Sequence, residues 1–281
     1  MTDSTSYLNQ DILNRLNITI IPLSVHFPDE SFKETEVKQD YFYQKIERTG
    51  VIPTSSQPSQ GEIYGAFRDI LANGEDILAI FISSAMSGTF STAISVKEQL
   101  SREFPFCRIE ILDSRTNCMA LGVQVIAAAE VIKAGGSIES AVEAACCARD
   151  SVHFYFAPKT LDYLRKGGRI GTASALLGSL LHITPILTVD MEKGMTHLVE
   201  KVRGASRAVS RILELMNDDY NRLGLKAIVI HHINAPEEAW QLKRRLGDAY
   251  DLPVSICSIG PVIGLHTGLG TVGVVYLTGR Q

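Results

Sequence analysis

Through the first half of the chain, short apolar runs alternate with helical patterns, and this alternation limits the possible folds more than any other feature. Ile18 to Val25, Ile77 to Ile82, Arg108 to Leu112 and His153 to Phe156 read as strands. Between them, Gln60 to Asn73, Thr89 to Glu103, Thr116 to Ala134 and Ser137 to Arg149 read as helices. Ser59-x-x-Glu62 forms a capping box at the start of the first of these, and Gly135-Gly136 supplies a stop signal for the third. Strands separated by helices predict a parallel sheet with helices on its faces. Ligands on such sheets bind beyond the carboxyl ends of the strands.

The second half has a different pattern. Leu161 to Lys166 reads as a short helix closed by Gly167-Gly168, and Thr172 to Leu181 as a small apolar helix. Ile183 to Val189 and Met195 to Val202 flank a turn ending in Gly194, which predicts antiparallel pairing. A helix over Ala205 to Leu223, a strand over Leu225 to His231 and a helix over Pro236 to Ala249 follow. Two last strands, Val254 to Ile259 and Thr271 to Leu277, enclose a glycine-rich loop that contains His266 and Thr267. The expected organisation is two α/β domains, residues 1–157 and 158–281, with a cleft between them.

Two hydroxyl-rich loops stand out, Pro53-Thr-Ser-Ser-Gln-Pro-Ser59 and Ile82-Ser-Ser-Ala-Met-Ser-Gly-Thr89. Each precedes a helical pattern, so hydroxyls and unpaired N–H groups can converge on one anionic or oxygen-rich group without a metal. Ser87-Gly88-Thr89 has a simpler reading as a helix cap. Ser55 and Ser56, ahead of Pro58, are on their own ordinary turn residues. Asp113-Ser114 ends the third strand and would face the same cleft, or merely cap the next helix. His266 can donate to an anion at neutral pH, whereas His231-His232 read as structural or surface residues because no third metal ligand has suitable spacing. Arg165-Lys166-Gly167-Gly168-Arg169 places three cations at a turn. They form either a solvated helix end or a docking surface.

Composition narrows the function class. The chain has 281 residues, is 45% hydrophobic and carries a net charge of −4, with no basic stripe of the kind that binds nucleic acid. Its apolar runs are too short to span a membrane. Met1-Thr2-Asp3-Ser4-Thr5 lacks the features of a signal peptide. The five cysteines have no C-x-x-C spacing and read as the reduced thiols of a cytoplasmic protein. G-x-S-x-G, Walker A, H-E-x-x-H and dinucleotide fingerprints are all absent. Ser87, His266 and Asp113 can be drawn as a hydrolase triad, but no motif sets their geometry.

Six strings carry a resemblance to a known family. They are Thr2-Asp3-Ser4-Thr5, Ser55-Ser56-Gln57-Pro58-Ser59-x-Gly61-Glu62, Ile82-Ser83-Ser84-x-x-Ser87-Gly88-Thr89, Leu161-x-Tyr163-Leu164-x-Lys166-Gly167-Gly168-Arg169-Ile170, Leu176-Leu177-Gly178-Ser179-Leu180-Leu181-x-Ile183-x-Pro185-Ile186-Leu187 and Gly260-Pro261-Val262-Ile263-Gly264-x-His266-Thr267-Gly268. In this order the chain resembles the DegV family of bacterial fatty-acid-binding proteins. The resemblance implies an N-terminal parallel sheet with flanking helices, a C-terminal mixed α/β domain and a lipid tunnel between them. It implies a bound long-chain fatty acid of about 16–18 carbons and no metal, other cofactor or catalytic residue. Carried over by position, the carboxylate contacts are Ser55, Ser56, Ser87, Gly88 and His266, with Thr89, Thr267 and Ser114 as further candidates. The implied partner is the ATP-binding subunit of a fatty acid kinase, which makes an acyl phosphate that this protein carries for phospholipid synthesis. Lys166 and Arg169 would face that partner, the glycine pair projecting Arg169 outward.

This chain departs from the family pattern at two points. Ser55 stands where the family usually has Thr, which keeps the hydroxyl and loses a methyl. The apolar strand that usually precedes Thr-Asp-Ser is missing or truncated in the sequence from Met1. Burying an alkyl tail of about fifteen methylenes yields roughly 12 kcal/mol gross, so the tail alone can supply affinity. The carboxylate must keep hydrogen bonds as it leaves water, and hydroxyls with helix-terminal N–H groups can provide them. The rival readings are a phosphotransferase or small-metabolite enzyme that uses His266, and a lipid sensor whose output is protein binding.

Overall fold

In a computed structural model, residues 1–176 and 183–279 are described. In chain order the elements are β1 (Thr2–Asp3), α1 (Gln10–Leu16), β2 (Ile20–Ile21), β3 (Ser24–His26), β4 (Ser31–Lys33), α2 (Gln39–Thr49), β5 (Thr54–Ser56), α3 (Gln60–Leu71), β6 (Ile77–Phe81), α4 (Thr89–Glu103), β7 (Ile109–Asp113) and α5 (Cys118–Lys133). They continue with α6 (Ile138–Ser151), β8 (Val152–Ala157), α7 (Asp162–Lys166), β9 (Ile183–Asp190), β10 (Met195–Arg203), α8 (Ala205–Leu223), β11 (Leu225–His232), α9 (Pro236–Ala249), β12 (Val254–Ser258), α10 (Pro261–Thr267) and β13 (Val272–Thr278).

The chain divides into two units. The first comprises Met1–Glu36, Ser55–Arg149 and Met191–Gly194, and the second Val37–Thr54, Asp150–Asp190 and Met195–Gln281. The boundary expected after residue 157 therefore shifts to 150, and neither unit is continuous in sequence. β8 was expected to close the parallel pattern of the first half. Instead it pairs antiparallel with β9 and β13 in the second unit.

In the first unit, β2, β1, β6 and β7 form a parallel sheet in that order. β1 is only two residues long, yet it lies between β2 and β6. β1 is therefore an inner strand. The long strand expected over Ile18 to Val25 is split at Pro22-Leu23, because proline has no N–H to give to a ladder. After the split, β3 joins the separate sheet β4-β3-β5. The core on one sheet face is built from Ile63, Phe67 and Leu71 of α3 and Ala93, Val96 and Leu100 of α4, packed on Ile77, Ala79 and Phe81 of β6. These helix positions recur at three- and four-residue steps and so form one stripe.

The second unit has a six-stranded sheet in the order β10-β9-β8-β13-β11-β12. All pairs are antiparallel except β11 with β12, which α9 connects as a crossover. Ile212 and Met216 of α8 and Leu242 and Leu246 of α9 cover one face over Ile228, Ile230, Val274 and Tyr276. The apolar helix expected over Thr172 to Leu181 is a 3-10 turn over Gly171–Leu176, and its remainder lies outside the described residues. The expected glycine-rich loop around His266 contains α10. Tyr43 of α2 anchors its entrance by donating to the carbonyls of Ile259 (2.6 Å) and Gly260 (3.1 Å).

Candidate functional site

The carboxyl ends of β1 and β6 are tied together by a buried aspartate. Asp3 accepts from the Ile82 N–H at 2.7 Å, and from the N–H (2.9 Å) and hydroxyl (2.6 Å) of Thr5. Burial pushes the Asp3 carboxyl above its ordinary range, and these hydrogen bonds oppose the shift. The loop after β6 is fixed from further sides. The buried Ser83 takes the Thr116 carbonyl at its N–H (2.9 Å), and its hydroxyl donates to the Gly194 carbonyl at 2.7 Å. Gly194 has φ +67°, and a Cβ there would lie 2.1 Å from Ser83 Oγ, so only glycine fits this turn.

Gln57 brings the two hydroxyl-rich loops together. Its Nε2 donates to Thr92 Oγ1 at 2.8 Å, while its Oε1 lies over Gly88. A Cβ on Gly88 would come 2.0 Å from that oxygen. Gly88 caps α4 without a side chain, and the half-buried Ser87 precedes it. Ser87 Oγ accepts from the Thr89 N–H at 3.3 Å and shares a 2.9 Å hydrogen bond with Thr89 Oγ1. The 15-residue α4 thus presents its positive end beside two hydroxyls and the Ser55–Ser56 strand. Ser55 is half-buried in this strand. Ser56 is engaged by a residue the sequence did not single out. His26 Nε2 lies 2.8 Å from Ser56 Oγ, and His26 Nδ1 lies 2.9 Å from Ser31 Oγ. Three contributors were therefore missed from sequence: Asp3, His26 and Gln57. Asp3 and Gln57 lay inside quoted motifs, whereas His26 carried no signal before β3 and β5 were known to share a sheet.

Two candidates prove to be internal supports. Ser114 is fully buried; its hydroxyl donates to the Thr116 carbonyl (3.1 Å) and accepts from the Thr116 N–H (3.2 Å), which closes a local turn. Asp113 accepts from the N–H (3.2 Å) and hydroxyl (2.5 Å) of Ser84 and from the Arg115 N–H (2.8 Å). It therefore braces the loops rather than orienting a histidine, which removes the acid from the triad drawn on paper.

The second unit gathers the remaining candidates around α7 and α10. The His266 ring packs on Gly167, with Nδ1 2.1 Å from where a Cβ would stand. Burial, and then the neighbouring Arg169 charge, lower the His266 pKa to about 4, so the imidazole is neutral at pH 7. Thr267 is buried beside it. Arg169 does not project outward. It is half-buried, and its Nη1 donates back to the Gly167 carbonyl at 2.5 Å, because Gly168, at φ +70°, reverses the chain. Lys166 is exposed, and its ammonium donates to the Ile52 carbonyl at 2.9 Å. His231 and His232 are buried, not surface residues.

A cavity of about 950 Å³ opens at the amino end of β6, lined by Leu78, Arg108, Val125, Ile132 and Glu139 among others. It sits at the opposite end of that strand from the hydroxyl loops and contains none of their residues. Among the described residues no group of three or more His, Cys, Asp or Glu side chains could hold a metal ion, and no helix is long and apolar enough to cross a membrane.

The fold is that of a two-unit α/β protein in which a hydroxyl-rich loop at the carboxyl end of the parallel strand β6 meets a second one around β5. The model of the family described as "Uncharacterised protein, DegV family" matches residues 1–279. A DegV domain-containing protein of Clostridium acetobutylicum is 44% identical over 281 residues, covering 100% of this chain and 98% of the relative. DegV from Bacillus subtilis, described as a fatty acid binding protein, superposes with a TM-score of 0.86 at 32% identity, over 99% of this chain and 97% of that one. A DegV family protein from Thermus thermophilus, described by its fatty acid binding, gives a TM-score of 0.86 at 30% identity, over 99% and 98%. The chain belongs to the DegV family.

Proposed function

We propose that this protein binds a long-chain fatty acid and holds its carboxylate at the loops after β5 and β6. One observation carries the reading: Gln57 clamps the Ser55–Ser56 strand against Gly88 at the amino end of α4. That places neutral donors and a helix dipole at one spot, as a desolvated carboxylate requires. Fatty acid binding by the Bacillus subtilis and Thermus thermophilus relatives supports the choice of ligand. Ser55, Ser87 and the first N–H groups of α4 are the proposed contacts. Thr89 acts through Ser87, and Ser56 acts through its link to His26.

The protein itself supplies no catalytic group in this reading. The family resemblance suggests that a separate ATP-dependent kinase acts on the bound acid. In that reaction a carboxylate oxygen attacks the γ-phosphorus of ATP, the bond to ADP breaks, and the protein is left carrying an acyl phosphate. A site without a fixed cation leaves the carboxylate oxygens available for that attack. Calorimetric titration with stearic acid tests the head-group assignment. Ser87→Ala should weaken binding by about tenfold or more, from the loss of roughly 1.5–3 kcal/mol for a hydrogen bond to a charged group. Unchanged affinity would place the carboxylate elsewhere.

A further inference from the structure

The loop after β6 turns back on itself at Ser83. The Ser83 carbonyl accepts from the Met86 N–H at 2.9 Å and from the Ser87 N–H at 3.0 Å, which closes a tight turn between Ser83 and Ser87. The Ser87 N–H is therefore taken, and its hydroxyl is the donor left for a ligand. Thr89 donates to Ser87 Oγ from its N–H at 3.3 Å, and Thr89 Oγ1 lies 2.9 Å from the same oxygen. The direction of the Ser87 hydroxyl follows the turn, and the turn follows Ser83.

Ser83 is fully buried and held at several points. Its N–H donates to the Thr116 carbonyl at 2.9 Å. Its Oγ donates to the Gly194 carbonyl at 2.7 Å and accepts from the Ala85 N–H at 3.3 Å. Gly194 ends the turn between β9 and β10, and Met191–Gly194 belongs to the first unit together with the loop after β6. One side chain thus links the carbonyl of a distant turn to the backbone of Ser87. We propose that Ser83 is a positioning residue: held by the β9–β10 turn, it aims Ser87 through its carbonyl and sets how strongly an ionised head group is preferred to a neutral one. This inference rests on the reading of Ser87 as a carboxylate contact and adds to it what holds that contact in place. A tie that served stability alone would weaken charged and uncharged ligands alike. A tie that aims a donor acts on the carboxylate, whose hydrogen bonds are charge-assisted and directional.

Stearic acid and methyl stearate share a tail and differ in head-group charge. Both are titrated into the wild type, Ser83→Ala, Ser83→Thr and Ser87→Ala, with Leu71→Ala as a control that opens a cavity at the last residue of α3. The wild type should prefer the acid by about tenfold or more. Ser83→Ala should weaken the acid by about tenfold and leave the ester within about threefold. Ser83→Thr, which keeps the hydroxyl, should retain most of the preference. Leu71→Ala should lower the melting temperature and keep the preference whole. If Ser83→Ala does not fold, Ser83→Cys, close in shape with a weaker donor, is read in its place. A preference that is lost in Ser87→Ala but survives loss of the Ser83 hydroxyl overturns the assignment, as does equal weakening of acid and ester; Ser83 is then a structural tie. A preference that also survives Ser87→Ala overturns the head-group reading itself, and wild-type protein that binds neither ligand overturns the fatty-acid reading.

Discussion

A single glycine hydrogen separates the two hydroxyl loops. Gln57 can reach Thr92 only because Gly88 has no side chain, and Ser87 is aligned by Thr89 rather than by Gln57. Gly88→Ala should therefore expel the Gln57 amide, part the loops and weaken fatty acid binding by about tenfold. The loss of stability should be no more than about 1–3 kcal/mol, since Gln57 is exposed and can swing away. Titration and thermal melting of the same variant check both halves. Unaltered affinity would mean that the clamp does not shape the site. Asp3 is the other residue on which the geometry turns, and its place in a short Thr-Asp-Ser-Thr string gave no hint of its three hydrogen bonds. The one from Ile82 connects residues that only the sheet brings together.

Among the elements, the turn between β9 and β10 is exacting. Its Gly194 needs both a positive φ and the space that Ser83 Oγ fills. Gly194→Ala should break the Ser83–Gly194 hydrogen bond and strain the turn, costing on the order of 2–4 kcal/mol, read by chemical denaturation. A variant as stable as the wild type would show that the turn relaxes without cost. The elements differ in how well sequence foretold them. α4, α8 and α9 follow their apolar periodicity residue for residue, and α3 starts at its capping box. α2 was missed: its N-cap, Lys38, makes no side-chain cap hydrogen bond, and its Tyr-Phe-Tyr run suits a strand as well as a helix. α10 was hidden by its flanking glycines. β8 was legible as a strand but not as a member of the second sheet, because a strand's neighbours are decided by the whole chain.

At the scale of the whole molecule, histidines whose pKa burial lowers, His231, His232 and His266, make stability depend on pH. Burial lowers His231 to about 3 and His266 to about 4, while the unfolded chain titrates near 6.5. Between those limits the unfolded state binds more protons, so stability is fully present above about pH 6.5 and falls as the pH drops toward about 4. Melting temperatures measured from pH 7 to pH 4 should fall steadily, and His231→Leu should flatten the fall. A flat profile in the wild type would contradict the desolvation of these rings. The division into two parts was legible, but the crossing of Val37–Thr54 to the second unit was not, because Tyr43 donates to carbonyls more than 200 positions away. The central claim, that the protein carries a fatty acid, has a direct test. The protein is purified without added lipid from a bacterial host, extracted with organic solvent, and analysed by mass spectrometry against a Ser87→Ala preparation. The account predicts a near-stoichiometric long-chain fatty acid in the wild type and a marked loss in the variant. Wild-type protein that yields no acyl chain and binds none when stearic acid is supplied would contradict it.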